Sequence, residues 1–161
     1  MQKKLFVTVL IIVFVSIIGF LLYSFISRNE NLEIKSVNTN INNISVSVKY
    51  KISTEKEYEP YHGAADIYSA DAKTLKNLSL VNYSTKISNV TDEETAVKIA
   101  VTAFSEIYED CLDEMPFEVY FNTNANAWIV HGTLPEGWDG GVASIAIERD
   151  TGKVLLLMHT K

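Results

Sequence analysis

The 22 residues from Leu5 to Ile26 carry no charged side chain, and that run constrains the chain more than any other feature. At about 1.5 Å per residue, a helix of this length reaches roughly 33 Å, enough to cross a hydrocarbon core. Residues 1–28 are therefore expected to be a retained transmembrane anchor. The competing reading is a cleaved secretory signal, whose apolar region runs about 7–15 residues and ends at small residues spaced small-x-small. Ser24 and Ser27 do not make such a site, and the absence of a cysteine here excludes a lipoprotein-type anchor. Lysine and arginine set orientation, while acidic residues count little. Lys3 and Lys4 precede the run, whereas Arg28 and Lys35 after it are interleaved with Glu30 and Glu33. The expectation is a single-pass protein of the cell membrane, N-terminus cytoplasmic and C-terminal part extracytoplasmic.

The remaining residues, 29–161, suffice for one domain with a core. Residues 29–43 are polar and Asn-rich and read as a linker. Ile44, Val46, Val48, Tyr50 and Ile52 alternate along "ISVSVKYKIS", which is a strand pattern. Pro60 and Gly63 punctuate the stretch that follows. "SADAKTLKNLSL" reads as one short helix with Ala72, Leu75 and either Leu78 or Ser79 inward. Residues 29–89 together form a linker and extension with one strand.

From Val90 the pattern is clearer. Thr91 followed by Glu94 makes a capping-box signature, and Asp92 and Glu93 add negative charge where a helix start favours it. Ala96, Ile99, Ala100, Ala103, Phe104, Ile107, Tyr108 and Cys111 then recur at helical spacing, and Pro116 bars continuation. Four strand-like runs follow: "PFEVYFN", "AWIVHGT", "VASIAIER" and "KVLLLMH". A turn at "DTG" requires positive φ at Gly152. One long helix packed on an antiparallel four-stranded meander is an α+β layout of NTF2-like or cystatin-like kind.

Charge separates the halves. Residues 1–89 hold 10 Lys/Arg and 7 Asp/Glu, whereas residues 90–161 hold 4 and 13. An acidic C-terminal half argues against nucleic-acid binding, which needs a basic footprint, and suits a basic protein partner; solubility alone is the competing explanation.

Metal and nucleophile chemistry find little support. His62, His131 and His159 lack zinc-ligand spacing. No serine or cysteine sits in a nucleophile-elbow context, and Cys111 has no neighbouring cation to activate it. It reads as a buried small hydrophobe. His131 and His159 fall on strands, where they would be neighbouring, hydrogen-bonded structural residues. The carboxylates Glu109-Asp110, Asp113-Glu114 and Glu136 with Asp139 lack the apolar surround a general base needs.

The glycine-rich stretch "WIVHGTLPEGWDGGV" is not a phosphate loop. It lacks G-K-[ST], leads into a strand rather than a helix, and contains Glu136 and Asp139. Gly140-Gly141 reads as a bulge or a close backbone approach. Trp138 either lids the core, which tryptophan's average burial favours, or stands out as an anchor for a partner.

Several motifs in this half carry a resemblance: "TDEETAVKIA", Pro116-Phe117, Trp128, Gly132-Thr133-Leu134-Pro135, Gly140-Gly141-Val142, and Asp150 through Lys153. From about Val90 to Lys161 the chain resembles the NTF2-fold immunity proteins of bacterial polymorphic toxin systems. Tyr108-Glu109 stands where that family tends to have Tyr-Gly. The resemblance implies a non-catalytic protein, without metal or cofactor, that binds and neutralises a cognate toxin. The acidic C-terminal half makes Glu106, Glu109, Asp110, Asp113, Glu114, Trp138 and Asp139 the candidate partner surface. Trp128, Gly132, Thr133, Leu134, Pro135, Gly140 and Gly141 are assigned to maintaining the fold. The helix start and terminal T-G-K-V are also similar to PepSY-type domains, which implies an extracytoplasmic regulator of a peptidase. A third reading, an NTF2-fold small-molecule enzyme, would draw on Tyr120, His131 and Asp139.

Overall fold

Every strand in the computed structural model, which describes residues 33–53, 66–135, 137–138 and 140–159, joins one sheet. The expected anchor, Leu5 to Ile26, lies outside the described residues. Among the described residues, no helix is long and apolar enough to cross a membrane. Residues 33–161 cluster as a single unit.

The sheet has six strands rather than four. β1 (Ile34–Ile41) and β2 (Ile44–Ile52) form a hairpin closed by Asn42 and Asn43, with φ of 50° and 65°. Asparagine tolerates this left-handed backbone, and a two-residue turn of that hand matches the twist of the strands it joins. The polar stretch expected to be a linker therefore supplies an edge strand. β3 (Phe117–Asn122), β4 (Ala127–His131), β5 (Ala143–Glu148) and β6 (Val154–His159) form the expected antiparallel meander. β2 joins β3 in parallel, with Tyr50 opposite Phe117, so the sheet is mixed. Gly152 closes the last hairpin at φ 68°, as its position in "DTG" requires.

α1 (Ala72–Leu78) and α2 (Glu93–Ile107) cover opposite faces. The cap of α2 is Asp92 rather than Thr91: its carboxylate accepts the Thr95 N–H at 2.8 Å. The helix also ends earlier than its apolar spacing suggests. Tyr108 is extended, Asp110 is left-handed at φ 59°, and Cys111–Glu114 form a separate 3-10 turn. Val97, Ala100, Val101 and Phe104 of α2 pack on Val48, Phe117, Val119, Val130, Ile145 and Leu157. The other face is covered as well. There Ile67, Tyr68 and Leu75 close over Ile129, Ala146 and Leu156. The two-sided cover explains why β5 is buried at almost every position.

Candidate functional site

Of the candidate partner residues, Glu106 lies in the last turn of α2, while Glu109, Asp110, Asp113, Glu114 and Trp138 fall on two connections at one end of the sheet. One loop leads from α2 through the 3-10 turn into the start of β3. The other leads from the end of β4, past Trp138, to the start of β5. A single carboxylate ties them together. Glu114, predicted as a surface residue, is only 8% exposed. Its Oε2 accepts the Ala143 N–H at 2.8 Å, and His159 Nε2 lies 3.1 Å from Oε1. Its main-chain carbonyl accepts the Thr133 N–H at 2.8 Å, while the Thr133 hydroxyl donates to the Pro116 carbonyl at 2.9 Å. Glu114 thus belongs to the framework rather than to the contact surface, and it is a buried carboxylate that the surrounding sequence gave no reason to expect.

The same carboxylate explains the glycine of "HGTLP". A Cβ on Gly132 would lie 2.0 Å from Glu114 Oε2, so the close approach falls at Gly132. Gly140 has nothing within 4 Å of such a Cβ and begins no bulge; the sheet irregularity lies at Ala146/Ile147. The Trp128 indole N–H donates to the Val90 carbonyl at 2.8 Å, and Phe121 meets the ring edge-on at 4.9 Å. This contact fixes the chain just ahead of α2. Leu134 is half-buried and Pro135 exposed; the Pro135 carbonyl accepts the Trp138 N–H at 3.1 Å.

The remaining acids face outward. Glu106, Glu109, Asp110 and Asp113 are all exposed. The Tyr83 hydroxyl donates to Glu106 Oε2 at 3.0 Å; burial first, and then Glu106, push the Tyr83 pKa up to about 12. The last turn of α2 holds no basic residue. Carboxylates beside a helix C-terminus meet the negative end of the macrodipole, an arrangement that stability does not favour. Trp138 is 66% exposed, which removes it from the core and leaves it as an outward aromatic. Glu136 and Asp139 lie outside the described residues.

Of the residues considered for catalysis, Tyr120 and His131 both meet Tyr68 on one face of the sheet, and Asp139 is not among the described residues. His131 and His159 lie on opposite faces of the sheet rather than side by side: His131 is paired with Ser144, and His159 with Ala143. His131 Nδ1 is 2.6 Å from the Ser144 Oγ, and Tyr68 packs edge-on against both His131 and Tyr120. Burial lowers the His131 pKa, with Glu118 opposing. The Cys111 thiol is pushed up to about 11, mainly by burial and then by Glu114, which suppresses the nucleophilic thiolate. Among the described residues, no group of three His, Cys, Asp or Glu is placed to hold a metal ion.

Fold and site together describe a helix-on-sheet domain that presents exposed acids at the end of α2 and one exposed tryptophan on an adjoining loop. Residues 95–161 match the family described as NTF2 fold immunity protein. The match falls inside the stretch that carried the resemblance in the sequence. No curated protein and no solved structure matches the chain.

Proposed function

We propose that this protein is a membrane-tethered immunity protein that neutralises a toxin protein by binding it, with no chemistry of its own. The family match supports the immunity reading. The observation that carries the binding face is the set of exposed acids at the C-terminal end of α2, which has no basic residue in its last turn, together with a largely exposed tryptophan on the connection that Glu114 bonds to theirs. Glu106, Glu109, Asp110 and Asp113 steer a basic region of the toxin into place, and Trp138 anchors it. Long-range charge chiefly raises the association rate, and a desolvated aromatic chiefly slows dissociation. Occlusion of the toxin's working surface then neutralises it. The uncharged Leu5–Ile26 run and the preceding Lys3 and Lys4 support a tether that leaves the domain outside the cytoplasm.

The test is recovery of the full chain with its bound proteins from the native host, followed by co-expression with any toxin domain found. Rescue of toxin-expressing cells is expected; failure to recover or neutralise a toxin overturns the immunity reading. Within a recovered complex, Glu109→Lys, Asp110→Lys and Asp113→Lys together should slow association steeply at low salt. Trp138→Ala should weaken affinity by about 30-fold, equivalent to about 2 kcal/mol. Affinity and salt dependence unchanged by the charge reversals would refute the acidic face.

A further inference from the structure

Among the described residues, β1 pairs with no strand but β2, so it forms one edge of the sheet and leaves one side of its backbone open. In a two-residue hairpin the flanking pair, here Ile41 and Ile44, exchanges hydrogen bonds, and alternate residues direct their polar groups the other way. Ser36, Asn38 and Asn40 therefore aim N–H and C=O away from β2, and all three are exposed. The opposite edge differs. There the Leu80 and Val81 N–H groups donate to the Leu157 carbonyl, and Ser79 Oγ accepts the Leu157 N–H.

Edges that stay single usually carry charge, proline or a bulge. β1 has no proline and pairs with β2 without a register shift. Its sole charge, Lys35, is held by Glu93 at 2.9 Å. We infer that β1 is an association edge on which a second copy of this chain docks, the two β1 strands running antiparallel about a two-fold axis at Asn38 or the adjoining Val37. The pairing is self-complementary. With the axis at Asn38, Ser36 faces Asn40 of the second copy, and Lys35 faces Ile41. With the axis at Val37, Ser36 faces Asn38, and Lys35 faces Thr39. Neither register opposes like charges, and both let exposed amide and hydroxyl side chains hydrogen-bond across the seam. An axis perpendicular to the sheet keeps each α2 on the same face.

Cysteine cross-linking in the full-length chain tests this directly. Asn38→Cys sets two thiols directly opposite each other when the axis falls at Asn38, and a mixture of Ser36→Cys and Asn38→Cys chains does so when it falls at Val37, whereas Ser47→Cys sits one strand inward on the same exposed face and reaches neither. The native Cys111 is buried and serves as the background in all. Mild oxidation should give a covalent dimer with Asn38→Cys alone or with that mixture, and a clear loss of that band with Ser47→Cys. Equal cross-linking in the Ser47→Cys control, or none with Asn38→Cys alone and none with the mixture, overturns the proposal. Asn38→Pro supplies a second readout, because it removes an outward N–H without touching the bonds to β2. It should convert wild-type dimer to monomer while leaving the circular dichroism of the fold intact. A wild-type monomer whose toxin capture is abolished by Asn38→Pro would instead assign the edge to a toxin strand and sink the second-copy reading.

Discussion

A methyl group added at Gly132 has no room to occupy. Its ideal position lies 2.0 Å from Glu114 Oε2 and 3.0 Å from Glu114 Cβ. The carboxylate is the flexible end of a side chain, but it is held in place by the Ala143 N–H and faces His159. If it moves, Ala143, which is fully buried, keeps an unpaired N–H. That loss costs about 1–3 kcal/mol, similar to the strain of overpacking. Gly132→Ala should therefore destabilise the fold by about that amount in urea titration. In a Glu114→Ala background the same change should cost less, because the carboxylate is gone and only the 3.0 Å approach to the Cβ remains, so the two sites are directly coupled. Equal losses in both backgrounds would show that Gly132 is required for some reason other than Glu114. The sequence displayed Gly132 plainly but not its cause, because the partner lies 18 positions away and reaches it only through the tertiary fold.

The elements were legible in proportion to how strongly they are patterned. α2 announces itself through Ala96, Ala100, Ala103 and Phe104 on one buried stripe, and the meander through alternation between turns. β1 does not, since only Val37 of its eight residues is buried, and its Asn, Ser and Thr content imitates a linker. The parallel junction of β2 with β3 spans more than 60 residues of chain, so no local signal encodes it. The cap of α2 falls one residue beyond the Thr91 of the capping-box pattern, because Thr91 and Asp92 both qualify chemically and only geometry chooses between them. Asp92→Ala should cost about 0.5–2 kcal/mol, and Asp92→Asn much less. The charge adds a pH dependence. The Thr95 N–H, above all, holds the Asp92 pKa below its ordinary 3.8. A depressed carboxylate stabilises the fold fully above the unfolded value and loses that contribution as pH falls through the folded one. The stability advantage of wild type over Asp92→Asn should thus be present near neutrality and vanish in strong acid. An advantage that persists there would mean the carboxylate is not what the cap uses. Glu93, held down chiefly by its hydrogen bond from Lys35, acts in the same direction, so the native α2 start as a whole weakens on acidification.

At the scale of the whole molecule, the family match and the folding unit do not coincide. The match begins at residue 95, yet the core of the unit draws on Val37, Val48, Tyr50, Ile67, Tyr68 and Leu75, all ahead of it. Val37, Val48 and Tyr50 close one end of the cluster under α2, and Leu75 closes the face that α2 does not reach. Fully burying an aliphatic side chain contributes about 1.5–3 kcal/mol. Four such residues together rival the net stability of an ordinary domain, about 5–15 kcal/mol. A fragment of residues 90–161 would also leave β3 with an open edge where β2 now lies and expose Ile129, Ala146 and Leu156 to water. That fragment should show no cooperative thermal transition and little amide protection, whereas residues 33–161 should melt as a single unit. Cooperative melting of residues 90–161 alone would reduce the hairpin and α1 to additions on a self-sufficient scaffold. Failure of the shorter fragment beside success of the longer would make them structural necessities. The acidic loop and Trp138 would then hold their positions only in a chain that includes the β1–β2 hairpin and α1, which lie ahead of the matched residues.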